Sequence, residues 1–191
     1  MKVIGFTSNY CGHEETPGCY LMADSSILYT GRPFFLPDFA QSFVATPTIV
    51  VRTGRLGKCI APKFAHRYWD AFTAAFTVRA LNSDDERLTA LDRAFDGALI
   101  VGEWVENPGG PQALDKMVQM AINGAEAAHC RLSDMCCPLD HLLAAVSVRC
   151  SIKMGDIIVT GDAASGRVLA PGDRLTAVID GNPVLDVKVR L

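Results

Sequence analysis

The sequence has no long apolar run among its 191 residues. A membrane-spanning helix needs about 18 consecutive apolar residues, and no segment provides them. The first ten residues also lack the apolar stretch that is typical of a signal peptide. We therefore expect a soluble, cytoplasmic protein that does not act on or in a membrane.

An excess of charge of either sign is missing as well. Lys and Arg together number 18 against 21 Asp and Glu, which gives a formal net charge of −3. The basic residues are scattered along the sequence, whereas nucleic-acid-binding proteins concentrate them in patches. We expect no nucleic-acid partner and no attraction to an anionic membrane.

The sequence also lacks a cysteine pattern typical of a disulfide framework. Its cysteines number seven, which is odd, and their spacing is irregular. A chain that is 49% hydrophobic does not need disulfide staples. We predict that most of the thiols are reduced and buried. Zinc binding is the alternative for one cluster, although its spacing matches no CxxC pattern. That cluster comprises His129, Cys130, Cys136, Cys137 and His141.

Short runs of β-branched and alternating apolar residues dominate the sequence. Asn123-Gly124 predicts a tight hairpin, and Gly181-Asn182 is expected to join the last two strands. The pattern indicates one mostly β (α+β) domain. The predicted strands are 2–6, 27–29, 33–36, 48–52, 71–78, 98–105, 116–122, 125–129, 156–160, 174–180 and 184–191.

Helices are few in the predicted pattern. Residues 83–93 predict a helix with Ser83 as N-cap and Glu86 three residues later. Residues 138–149 predict an amphipathic helix that starts with a proline. Residues 63–70 predict one or two helical turns.

Six motif fragments follow one another in order along the chain. They are Asn9-Tyr10 with His13, Gly54 with Gly57-Lys58, Arg79, Arg93 to Gly97, Asn123-Gly124 with Asp134-Met135, and Met154 to Gly161 continuing to Asp173. Together these fragments resemble the fumarylacetoacetate hydrolase family. The resemblance implies a mixed β-roll with a few short peripheral helices in a single domain of residues 1–191. It implies a lid-like part at 1–45, a β-roll core at 46–191, and a homodimer.

The resemblance also points to a missing metal site. Catalytic members bind Mg²⁺ or Mn²⁺ through three carboxylates, two of them in an E-x-E pair on one strand. The corresponding positions here are Thr46, Thr48 and Ala75. Hard cations require oxygen ligands, largely anionic ones. We expect no metal cofactor, and Mg²⁺ or Mn²⁺ only if the ligands stand elsewhere.

The resemblance assigns a His and Glu dyad to the lid, where the His acts as a general base. His13 is present, Thr16 occupies the Glu position, and Glu14 and Glu15 are available as substitutes. These catalytic candidates compete with a plainer interpretation, a polar surface loop.

The expected substrate-binding residues are Arg79, Arg93, Thr160 and Asp162. Two arginines can hold a carboxylate through paired hydrogen bonds. Alternatively, they are structural arginines that bridge to Asp92, Asp96 or backbone carbonyls. Asp162 is alternatively an ordinary turn aspartate.

Two functions stay open at this point. In the first, the chain is a family member without metal-dependent C–C hydrolase activity, which binds a small carboxylate or serves as a structural or regulatory partner. In the second, it is an enzyme that acts on a small 2-oxo or β-diketo acid, with a relocated metal or with none. Proton transfer, as in tautomerisation, demands less than C–C cleavage.

Overall fold

The computed structural model describes residues 1–10, 17–83, 85–107 and 111–191. Strands predominate over helices in this part of the chain, which confirms the mostly β class. The strands are β1 Val3–Phe6, β2 Cys19–Met22, β3 Ile27–Tyr29, β4 Phe34–Phe35, β5 Ala40–Thr53, β6 Trp69–Ser83, β7 Leu99–Val101, β8 Val105–Glu106, β9 Val118–Ile122, β10 Ala125–Cys130, β11 Ile157–Asp162, β12 Arg167–Val168, β13 Arg174–Ile179 and β14 Asn182–Arg190.

Two curved sheets contain all of these strands. The larger sheet has the order β2-β1-β11-β5-β6-β7-β3, with β12 also paired to β5 and β8 to β6. The smaller sheet has the order β10-β9-β13-β14-β4. The pairs β1–β11, β3–β7 and β14–β4 are parallel, so both sheets are mixed, as the predicted β-roll requires.

A long hairpin of β5 and β6 forms the middle of the larger sheet. The pairing runs from Ala40 opposite Ser83 to Thr53 opposite Trp69, far beyond the predicted 48–52 and 71–78. Pro47 is tolerated inside β5, although proline removes a donor from a strand. It lies where the neighbour of β5 changes from β12, paired at Ala45, to β11, paired at Thr48.

The larger sheet is buried on both faces. One face packs against the smaller sheet, with Phe72 and Phe76 of β6 in the same apolar cluster as Met120 and Leu175. The opposite face carries a second, smaller cluster built around Ala75 and its neighbours on adjacent strands. Residues two apart on a strand share a face of the sheet. The candidate site lies on this second face.

The α-helices are α1 Pro62–Ala65 and α2 Leu139–Arg149, and the second agrees with the predicted helix. The helix predicted at 83–93 is instead a 3-10 helix, Glu86–Arg93, with Asp85 rather than Ser83 as its cap. None of its residues is buried, so tertiary packing adds little to hold an α-helix there. Further 3-10 turns are Asp24–Ser26, Pro111–Asp115 and Leu132–Asp134. No described helix is long and apolar enough to cross a membrane.

Three smaller predictions had different outcomes. The Asn123-Gly124 hairpin is confirmed, since it joins β9 to β10. The last turn is displaced by one residue, because Ile179 pairs with Asn182 and leaves Asp180-Gly181 as the turn. The prediction of mostly buried thiols is wrong: of the described free cysteines only Cys130 is buried, and three are exposed.

Candidate active site

A pocket of about 180 Å³ opens on the second face of the larger sheet, between β2, β5, β6 and β11. Its apolar wall comes from β2 and from the β5–β6 hairpin. Its polar lining residues are Tyr20, Thr46, Thr77, Arg79, Arg93 and Asp162. The charged ones are two arginines and one aspartate, so the pocket is suited to a small anion.

Arg79 and Arg93 both reach this pocket, from separate parts of the chain. Arg79 projects from β6 opposite Val44, and Arg93 ends the 3-10 helix. Neither makes an ion pair with a described carboxylate. Asp92, offered as a structural partner, accepts instead from the Ser83 hydroxyl at 3.2 Å. Among the described residues, neither guanidinium group is therefore taken up by an ion pair.

Tyr20 is a pocket residue that the sequence did not single out. Its ring lies against Gly5, where a Cβ would stand 2.1 Å from Tyr20 Cζ. The Arg93 guanidinium stacks over the ring, 5.3 Å from its centroid. The Tyr20 hydroxyl is closed off from solvent. Burial raises the pKa of Tyr20 far above its usual value, and the neighbouring Arg93 guanidinium lowers it in part. The pairing of Gly5 with Tyr20 is the only signal, and it is visible only once the sheet is assembled.

Asp162 reaches the pocket through an irregularity in β11. The register between β11 and β5 shifts between Val159 and Asp162, which is the effect of a β-bulge. Gly161 lies in this shift with φ of +129°, and a Cβ there would meet Asn9 Cβ at 2.5 Å. Only glycine fits that position, and the bulge turns Asp162 towards the pocket lined by the arginines.

Thr160 lies beneath the pocket wall and is fully buried. Its hydroxyl donates to the Ile49 carbonyl at 2.8 Å and lies 2.7 Å from the Tyr10 hydroxyl, which therefore donates to it. The structure places Thr160 outside the pocket lining, where it supports the chain instead of facing a ligand. This differs from the expected substrate-binding role, and the physical reason is that both partners of the hydroxyl are already supplied by the protein.

A family model for the fumarylacetoacetate hydrolase C-terminal domain matches residues 5–190. The chain belongs to the fumarylacetoacetate hydrolase family. The resemblance found in the sequence is therefore confirmed, and the family includes isomerases, hydrolases, decarboxylases and tautomerases by the names of its members.

Curated relatives are distant. The mitochondrial oxaloacetate tautomerase of Caenorhabditis elegans is 23% identical over 185 residues, which covers 90% of this chain and 86% of that protein. A homoprotocatechuate catabolism bifunctional isomerase/decarboxylase of Escherichia coli is 23% identical over 173 residues, but the match covers only 39% of it.

Solved structures show the same fold. A 5-carboxymethyl-2-hydroxymuconate delta-isomerase from Mycobacterium smegmatis superposes with a TM-score of 0.86 at 22% identity, over 99% of this chain and 78% of that one. A 2-hydroxyhepta-2,4-diene-1,7-dioate isomerase from Mycobacterium marinum gives a TM-score of 0.84 at 23% identity, over 99% and 74% of the two chains. At this identity the likeness defines the fold and not the reaction.

The three positions matched to the family's metal ligands come together in the fold. Thr48 pairs with Ala75 across β5 and β6, and Thr46 lies two residues from Thr48 on the same face. The Thr48 hydroxyl is buried and donates to the Gly161 carbonyl at 2.6 Å, and Ala75 is fully buried in the apolar cluster. Two hydroxyl groups and no carboxylate at these three positions do not fit Mg²⁺ or Mn²⁺.

The lid candidates His13, Glu14 and Glu15 lie outside the described residues. Their proposed acid–base role therefore stays a prediction. The described residues on either side are close to the site, because Tyr10 bonds to Thr160 beneath the pocket and Tyr20 forms part of its wall.

The zinc alternative is not supported. Within the described part of the chain, no three His, Cys, Asp or Glu side chains are grouped closely enough to hold a metal ion. His129 Nδ1 lies 2.8 Å from a Glu126 carboxylate oxygen on the surface, and Cys130 is buried in the core. Burial is the main reason that the pKa of Cys130 rises to about 12.

Proposed function

We propose that this family member binds a small carboxylate between Arg79 and Arg93, without the divalent cation of its catalytic relatives. The observation that carries the proposal is the pocket lining: two arginines without described ion-pair partners line about 180 Å³, and Thr46, Thr48 and Ala75 replace the family's carboxylates. A protein of this kind lacks metal-dependent C–C hydrolase activity. It acts as a ligand-binding, structural or regulatory protein. The family resemblance further suggests that the protein forms a homodimer, which analytical sedimentation would test.

Electrostatics support an anionic ligand of this size. The charged lining residues sum to one net positive charge, since Asp162 offsets one of the two arginines. Hydrogen bonds to charged groups contribute about 1.5–3 kcal/mol each. The exposure of Arg79 lowers its share, because water screens exposed charges. Two arginines together still favour a carboxylate over a neutral molecule of equal size.

The first experiment is thermal melting with oxalate in a buffer containing EDTA. The melting is then repeated with Mg²⁺, and with Mn²⁺, in place of the EDTA. Oxalate at a hundred times its dissociation constant stabilises the folded protein by about 2.7 kcal/mol. For a chain of this length, each kcal/mol of stabilisation raises the melting temperature by about 2–4 °C. We expect a rise of about 5–10 °C that does not depend on the metal.

Two variants make the melting experiment specific. Arg93→Met is expected to remove most of the oxalate shift, whereas Arg55→Met serves as the matched control, because Arg55 is exposed and lies outside the pocket. A melting temperature that rises with Mn²⁺ alone, and further with oxalate, would overturn the proposal in favour of a divalent-metal site.

A second candidate function is metal-independent tautomerisation of a small 2-oxo acid. It is favoured by Asp162, a carboxylate that lines the same pocket as the arginines; His13 is the other acid–base candidate. A tautomerase moves one proton between carbon and oxygen, and a positioned carboxylate is a suitable base.

The test follows loss of the ultraviolet absorbance of enol-oxaloacetate in EDTA. Activity lost in Asp162→Asn would support it, and a rate equal to the uncatalysed one in the unmodified protein would exclude it.

A further inference from the structure

A second cavity, more basic than the first, lies at the edge of the smaller sheet. It is an open groove of about 500 Å³ between β14 and the segments that precede β4 and β13. Four basic groups and one carboxylate line it, which leaves three net positive charges in a chain whose formal net charge is −3. The groove shares no lining residue with the pocket of the proposed carboxylate site. Its charged residues are Arg32, Arg174, Asp186, Lys188 and Arg190.

Strand pairing gathers these charges from three separate segments. Arg32 precedes β4, and Arg174 begins β13. Lys188 and Arg190 are both exposed and lie two residues apart on β14, so they project from the same, outer face of the smaller sheet. The basic residues are scattered along the sequence, and only the folded sheet concentrates some of them on one surface.

One pair of these charges acts against the fold. Arg174 lies directly opposite Lys188 where β13 pairs with β14, and both residues are exposed. Like charges directly opposite one another destabilise a pair of antiparallel strands. Asp186 compensates the arginine in part, since it accepts from Arg174 Nε at 2.7 Å and from Nη2 at 2.6 Å. An anion between the two cations would remove the remaining repulsion, so the arrangement itself favours an anionic ligand.

The donors that line the groove suit phosphate oxygens. Asp186 holds the Arg174 guanidinium in place through two of its N–H groups, and the other N–H groups of that guanidinium are not used by Asp186. The side chains of Arg32, Lys188 and Arg190 form no ion pair with a described carboxylate. Guanidinium groups match the geometry of phosphate oxygens, and a lysine adds a compact positive charge.

We propose that this groove is a second ligand site of the protein, which binds a small molecule through a diphosphate group. A diphosphate carries several negative charges and so balances the three net positive charges of the lining, whereas a single carboxylate balances only one of them. The volume of about 500 Å³ is also larger than one phosphate group needs, since a water molecule takes up about 30 Å³. The site is independent of the carboxylate-binding function, because its residues and its ligand are different.

Calorimetric titration with inorganic pyrophosphate, in a low-salt buffer containing EDTA, tests the proposal. The unmodified protein is expected to bind pyrophosphate saturably, and more weakly as NaCl is added, because salt screens exposed charges. The double variant Lys188→Gln, Arg190→Gln is expected to bind it at least about tenfold more weakly, which corresponds to about 1.4 kcal/mol. Lys58→Gln is the matched control and should bind as the parent does. Lys58 is exposed, donates to the Val148 carbonyl at 3.0 Å and lies outside the groove.

Two results of the titration would overturn the proposal. The first is the absence of saturable pyrophosphate binding; if vesicles containing phosphatidylserine bind instead, the groove faces a membrane surface. The second is a loss of pyrophosphate binding in Arg93→Met but not in the double variant, which would place the pyrophosphate in the other pocket. The melting shift produced by oxalate should be unchanged in the double variant, so that failure of either proposed site is seen separately.

A ligand-free measurement tests the like-charge argument. Lys188→Gln removes the cation opposite Arg174 and should melt about 1–3 °C above the parent in low-salt buffer without phosphate. The difference should disappear in about 1 M NaCl, which screens the repulsion in the parent. A Lys188→Gln protein that melts at or below the parent in low salt would show that no repulsion awaits an anion, and would overturn the proposal.

Discussion

Asn9 is the residue whose replacement should most clearly disturb the support of the pocket. It is fully buried, and its side chain makes three hydrogen bonds. Its Nδ2 donates to the Thr160 carbonyl at 2.9 Å and to the Cys137 carbonyl at 3.0 Å. Its Oδ1 accepts from the Cys137 amide at 2.8 Å. One side chain thus ties β11 to the segment before α2.

Asn9→Ala removes all three hydrogen bonds and leaves the Cys137 amide without an acceptor. Each buried polar group left unpaired costs about 1–3 kcal/mol, and partial relaxation and water entry reduce the sum. We expect a loss of about 2–5 kcal/mol in the free energy of unfolding. For a chain of this length this lowers the melting temperature by about 4–20 °C.

The assay is urea denaturation followed by tryptophan fluorescence, together with thermal melting. Asn182→Ala is the control, because Asn182 is exposed and makes only a long contact of 3.5 Å with the Ile179 carbonyl. That variant is expected to stay within about 0.5 kcal/mol of the parent.

Asn9→Asp sharpens the test, because it keeps the shape and the acceptor but removes both donors. Its carboxylate would face two carbonyl oxygens, so it should be at least as destabilising at pH 7 and less so at pH 4. An Asn9→Ala protein that melts within about 2 °C of the parent would refute the reasoning, since such a shift corresponds to less than about 1 kcal/mol.

Two further predictions concern stability. Burial raises the pKa of Cys130 to about 12 and that of Tyr10 well above its usual value, so the folded state holds these protons more tightly than the unfolded state. The free energy of unfolding should therefore be unaffected below about pH 8.5 and decrease as the pH rises further. Urea melts at pH 8, 9 and 10 measure this, and Cys130→Ala should flatten the decrease; a flat profile in the parent would contradict the assignment. Asp156 is buried and accepts from the Lys2 amide at 3.0 Å and the Lys153 amide at 2.8 Å, as well as pairing with the Lys2 ammonium. Asp156→Ala should cost about 2–4 kcal/mol, and Lys2→Met clearly less, because the Lys2 side chain is partly exposed; equal losses in the two variants would show that the amide contacts do not matter.

Local sequence signals predicted the elements that depend on neighbouring residues. The turn of Asn123-Gly124 and the helix Leu139–Arg149 were both predicted, because turn chemistry and helical periodicity act within a few residues. The helix at 83–93 was placed correctly but assigned the wrong type, since Leu88 and Leu91 are exposed and no packed face enforces an α-helix.

The sequence by itself determined the family and the mostly β class. The replacement of the expected metal-binding carboxylates by Thr46, Thr48 and Ala75 stays a prediction from the sequence. Strand periodicity also put Thr46 and Thr48 on one face. Only the tertiary structure decided which strands are neighbours, because pairing between distant segments depends on the whole core and leaves no local signal. That pairing brought Tyr20 over Gly5 and buried its hydroxyl, and the bulge beside Thr48 turned Asp162 into the pocket.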